Sequence, residues 1–67
     1  MGKLYREWRR LRNQAGELLY LVAKADTVGR GGEAESIYEE WRSEKISFEE
    51  ARRRLENLLA EAAAARA

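Results

Sequence analysis

The chain contains no cysteine, no histidine and no proline. Without cysteine there are no disulfide staples, thiolate zinc sites or thiol nucleophiles; without histidine there is no base poised at neutral pH and no imidazole ligand. Most catalytic constellations are excluded on these grounds alone. The adjacent acids that remain, Glu39-Glu40 and Glu49-Glu50, diverge by about 100° on a helix and converge on neither a substrate nor a metal. Gly29-Arg30-Gly31-Gly32 is glycine-rich, yet it lacks the preceding strand and the Gly-Lys-Ser/Thr ending of a phosphate loop, and it reads as a turn. The expectation is a protein that is not an enzyme and takes no cofactor, metal or small-molecule substrate.

Long apolar runs are missing as well. The stretch Leu18 to Ala23 is interrupted by Lys24 and Asp26, far short of the about 20 residues that span a bilayer. The basic start is followed by neither a long apolar region nor a small-residue cleavage site, so no secretory signal is expected and the anticipated location is cytoplasmic. At 67 residues there is room for one helical domain, 1–67, whose small core favours self-association as a supplement. The absence of proline, with abundant Ala, Leu, Glu and Arg, favours helix nearly everywhere outside the glycine cluster.

What is present is helical periodicity. Leu4, Trp8, Leu11, Ala15, Leu18, Val22 and Ala25 recur at alternating spacings of four and three, a seam along one side of a helix over about 3–28, widened by Tyr5 and Leu19. Gly29 supplies the left-handed conformation found just past a helix end. A second helix over about 33–45 follows, with Glu33 and Glu35 at its positive end and an apolar face of Ala34, Ile37, Tyr38 and Trp41. Ser47 followed by Glu50 fits a capping box, with Ile46 and Ala51 at the positions of a hydrophobic staple, which starts a third helix over about 48–65. Against that break, Phe48, Ala51, Leu55, Leu58, Ala62 and Ala65 continue the register of Ala34, Ile37 and Trp41. The expected fold is therefore all-α, a small antiparallel three-helix bundle, with a kinked two-arm hairpin that dimerises into a four-helix bundle as the alternative.

The string from Asp26 to Tyr38 has the pattern D-x-x-G-x-x-x-E-A-x-x-x-Y, and over these residues the chain resembles the first helical hairpin of MIT domains and, more loosely, the helix-turn-helix of tetratricopeptide repeats. The resemblance implies that the glycine ends the first helix, that Ala34 lets two helices approach and that Tyr38 packs back across the pair. MIT domains are three-helix bundles that bind short helical tails of filament-forming, membrane-remodelling proteins. This chain departs from them in its short second helix and unusually basic start.

Charge is unevenly distributed. Residues 1–30 carry seven basic and three acidic groups, net +4, while residues 31–67 carry six basic and nine acidic groups, net −3. Lys3, Arg6, Arg9, Arg10 and Arg12 form one basic group, and Arg52, Arg53 and Arg54 a second; both are candidate phosphate contacts. In a two-arm hairpin the groups would gather at one end. With a third helix folded back they separate, and the second is expected to pair with Glu49, Glu50 or Glu56. Trp8 lies on the seam and Tyr5 beside it, a placement that suits packing better than base stacking. A second helix of about 13 residues would span only about 20 Å along a first helix of about 38 Å, leaving Leu4, Tyr5, Trp8 and Leu11 as an apolar patch rimmed by arginine. With Leu18 these are the candidate protein-interface residues. The expected function is a helical protein-protein interaction module, an adaptor or a small subunit of an assembly. It would hold a second copy, as a homodimer, or a partner helix. The alternative is a nucleic-acid binder without sequence specificity.

Overall fold

The computed structural model describes residues 3–66, with the side chains of Lys3, Tyr5 and Arg66 outside the described set. The 3-4 apolar spacing of the first segment is realised as helix α1, Lys3–Thr27. It ends as the glycine requires. The Arg30 N–H donates to the Ala25 carbonyl at 2.9 Å and the Gly29 N–H to the Asp26 carbonyl at 3.2 Å, with Gly29 at φ 78°. That pair of bonds is a Schellman motif, in which a left-handed residue satisfies the last carbonyls.

Helix α2, Gly31–Arg42, starts two residues earlier than its sequence suggests and stops three residues sooner. The early start follows from Gly31. A Cβ there would collide with the Asp26 carboxyl, so glycine lets that negative group sit against the positive end of α2. Arg30, in the N-cap position, forms an ion pair with Glu33 at 3.2 Å. The early stop is a second Schellman motif: the Lys45 N–H donates to the Glu40 carbonyl at 2.9 Å and the Glu44 N–H to Trp41 at 3.0 Å. Here the left-handed position is held by Glu44, at φ 65°, where a side chain is strained. Ser43 Oγ adds a hydrogen bond to the Glu39 carbonyl at 2.9 Å.

Helix α3, Phe48–Arg66, begins at the anticipated cap, with the Glu50 N–H donating to Ser47 Oγ at 3.1 Å. The Glu50 carboxylate turns instead to Arg53 and Arg54. The described residues therefore form three helices, and the single kinked arm does not occur. Register continuity across the break is real in the sequence, but the cap and the left-handed Glu44 interrupt the backbone there.

All three helix pairs are in contact. Arg52 reaches Glu17 at 3.6 Å and Arg54 reaches Glu40 at 3.4 Å, so the start of α3 lies level with the middle of α1 and the end of α2. From there α3 runs back alongside α2 toward the first turn and past it. The molecule measures 50 Å along its longest axis, more than the about 36 Å of α1 alone. Leu18 and Leu55 are the large side chains fully enclosed at the centre, surrounded by Ala25, Ala34, Ala51, Leu58 and Ala62. The alanines allow close helix approach, while Val22, Ile37, Tyr38, Trp41, Ile46 and Phe48 close the sides. Trp41 bridges two neighbouring rings, 5.7 Å from Tyr38 and 6.5 Å from Phe48. The α3 seam is buried as far as Ala62; Ala65 is exposed because α3 has by then passed the end of α1. Gly16 is exposed, and a Cβ there would meet nothing within 4 Å, so it does not serve close helix packing.

Two substitutions at the α2–α3 turn should act in opposite directions. Ser47→Ala removes the cap and should cost about 0.5–2 kcal/mol. Glu44→Gly relieves the left-handed strain and should stabilise by about 1 kcal/mol. Denaturant melts that show no loss for the first, or a loss for the second, would contradict these roles.

Candidate functional site

Because α2 stops at Arg42 and α3 turns back beside the second half of α1, the first half of α1 projects beyond the bundle. Its side of the seam faces outward: Leu4 is 81% exposed, Trp8 57% and Leu11 52%. Ala15, the next seam position, is half-buried, and Leu18 is completely enclosed. Leu18 is accordingly a core residue and not part of an exposed interface, a correction that follows from α2 and α3 both reaching its level. The Tyr5 side chain lies outside the described residues.

Where the projecting arm meets the α2–α3 turn, a groove of about 810 Å³ opens. Trp8, Leu11 and Ala15 form one wall, Tyr38 and Trp41 the other, and Glu44, Lys45 and Ile46 close the end. Two of the rings each carry a guanidinium. Arg12 lies over Trp8 at 5.5 Å from the ring centre, and Arg42 over Tyr38 at 6.0 Å. A guanidinium stacked on a ring is attracted by its π-face and keeps donors at the rim. Tyr38 and Trp41 thus serve two surfaces, the core on one side and the groove on the other. Sequence reasoning assigned them to the core only, and the shortness of α2 was the signal that its last aromatic residues would sit at an edge.

The two basic groups are treated differently by the fold. Arg52 is paired with Glu17 and with Glu56, each at 3.6 Å; Arg53 pairs with Glu50; Arg54 pairs with Glu50 at 2.7 Å and Glu40 at 3.4 Å. Pairing with Glu50 and Glu56 follows from helical spacing, whereas Glu17 and Glu40 come from neighbouring helices. Arg6, Arg9 and Arg10 run along the outer side of the arm with Asn13, Gln14 and Glu17, and form no ion pair among the described residues. The Lys3 side chain lies outside the described residues. Arg52, Arg53 and Arg54 thus each have an acidic partner, which Arg6, Arg9 and Arg10 lack among the described residues.

Among the described residues, no group of three or more potential ligands is arranged to hold a metal ion, and no helix is long and apolar enough to cross a membrane. Along the hairpin from Asp26 to Tyr38, Gly29 is left-handed, Ala34 is buried and Tyr38 packs against the core. Compared with family models, curated proteins and solved structures, the chain matches none.

The ion-pair cluster on α3 gives a pH signature. The hydrogen bond from Arg54 holds the Glu50 carboxyl below its ordinary value; partial burial opposes this and the nearby charges of Arg53 and Arg54 assist it. Because the folded value is depressed, the stabilising contribution is present above the ordinary carboxylate range and is lost as pH falls through the folded value. Melting temperatures recorded from about pH 6 down to about pH 2 should fall less steeply for Glu50→Gln than for the parent chain. Parallel curves would remove Glu50 as a contributor.

Proposed function

We propose that this protein is a non-enzymatic helical interaction module, an adaptor or small assembly subunit, that presents the projecting half of α1 to another helix. The observation that carries this reading is the exposure of Leu4, Trp8 and Leu11 on a seam that α2 and α3 bury farther along. Burying such side chains is worth roughly 1.5–3 kcal/mol each, a large share of the stability of a small domain. An exposed contiguous apolar stripe rimmed by charge is the anatomy of a contact surface. A helix laid along the arm would extend the side of the bundle that α2 begins, and either a second copy or a different protein could supply it.

A second reading, contact with nucleic acid without sequence preference, is favoured by one feature only, the ridge of Arg6, Arg9 and Arg10 without ion pairs among the described residues. The acids paired with Arg52, Arg53 and Arg54 partly neutralise the second basic group. A net charge of +1 supports the same ranking.

Replacing Trp8 and Leu11 together with glutamate separates the contact reading from its absence. The core built on Leu18 and Leu55 lies beyond the arm, so the variant should keep its helical circular dichroism. It should lose self-association or uptake of an amphipathic helical peptide, measured by light scattering and fluorescence anisotropy. If the parent is monomeric at tens of micromolar, takes up no such peptide and melts at the same temperature as the variant, the arm is not a contact surface.

A further inference from the structure

Charge around the arm discriminates between the helices that could lie on it. Segment 3–12 carries five basic residues, Lys3, Arg6, Arg9, Arg10 and Arg12, against the single acid Glu7. Across the groove stand Arg42 and Lys45, with only Glu44 opposing them. A second copy that docked its own arm here would bring the same excess of positive charge into a positive setting, an arrangement that disfavours association. Of the ten acids outside the arm and groove, half are already engaged among the described residues, Glu17, Glu40, Glu50 and Glu56 by the α3 arginines and Glu33 by Arg30.

Resting on the contact reading above, we propose that the occupant of the arm and groove is an acidic amphipathic helix of a different protein. Its apolar residues recur at i, i+3 or i+4 and i+7 to meet Leu4, Trp8 and Leu11, and Asp or Glu residues flank that stripe. The exposed stretch from Leu4 to Ala15 is about 18 Å long, which accommodates roughly three turns of such a helix. Nucleic acid lacks an apolar stripe to cover these side chains, so the arginines act as the rim of a protein site. Opposite charge at the rim accelerates encounter and selects the partner, while the apolar stripe supplies the burial.

The test uses the full chain and two fluorescein-labelled helical peptides that share one leucine stripe and differ only in their flanks, glutamate in one and lysine in the other. Anisotropy should show the glutamate peptide bound at least tenfold more tightly at low salt, with the advantage shrinking toward unity at about 0.5 M salt. Arg42→Glu with Lys45→Glu, checked for an unchanged circular dichroism spectrum, should reduce the preference, and Trp8→Glu with Leu11→Glu should abolish binding of both peptides. Equal binding of the two peptides, or preference for lysine, overturns the charge assignment and leaves the apolar contact standing. Self-association of the parent that displaces the glutamate peptide overturns it in favour of a second copy. Displacement of that peptide by a short DNA duplex overturns it in favour of nucleic acid. If neither peptide binds and the Trp8-Leu11 variant behaves as the parent, the contact reading falls with the proposal.

Discussion

The length of α2 is the constraint on which the rest of the molecule depends. Its 12 residues lie beside the 25 of α1, so at the Ser43 to Ser47 turn the chain is level with the middle of α1. A third helix continuing outward would have buried the first half of the α1 seam. The turn instead sends α3 back along the half that α2 already covers, where Leu55 and Leu58 share one core with Leu18. One side of α1 is thereby divided: its second half is core, and its first half is surface. The placement of Arg52 beside Glu17 and of Arg54 beside Glu40 is a product of the same reversal.

The turn is specified by local chemistry from both sides. Ser47 offers an oxygen to the Glu50 N–H and so defines where α3 begins, while the bonds from Glu44 and Lys45 define where α2 ends. The left-handed Glu44 is tolerated because these hydrogen bonds and the packing of Ile46 and Phe48 against the core over-determine the conformation. Strain at this point lies directly beside the groove, whose end Glu44, Lys45 and Ile46 form.

Much of this was legible in the residues. The helix count, the Gly29 terminus, the Ser47 cap and the exposed Leu4, Trp8 and Leu11 all follow from spacing and helix lengths, because each rests on a mechanism local in sequence or on simple geometry. The missed features depend on contacts between helices. Leu18 has the same seam character as Leu11, and only the level reached by α2 and α3 makes one core and the other surface. The pairing of arginines with Glu17 and Glu40 required knowing which helices become neighbours. Nor could periodicity foretell a non-glycine residue at φ 65°, since Glu44 carries no left-handed signal of its own.

Gly16 gains meaning from its place just beyond the half-buried Ala15, where the projecting arm joins the packed half of α1. A helix of about a dozen residues is marginal by itself, and the projecting arm gains from being an extension of the packed half. Glycine at the joint weakens that extension by about 0.5–1 kcal/mol relative to alanine. A ligand that requires the helical arm has its affinity scaled by the fraction of molecules in which the arm is formed. Alanine at position 16, whose methyl group would meet nothing within 4 Å, would raise that fraction through helix propensity alone.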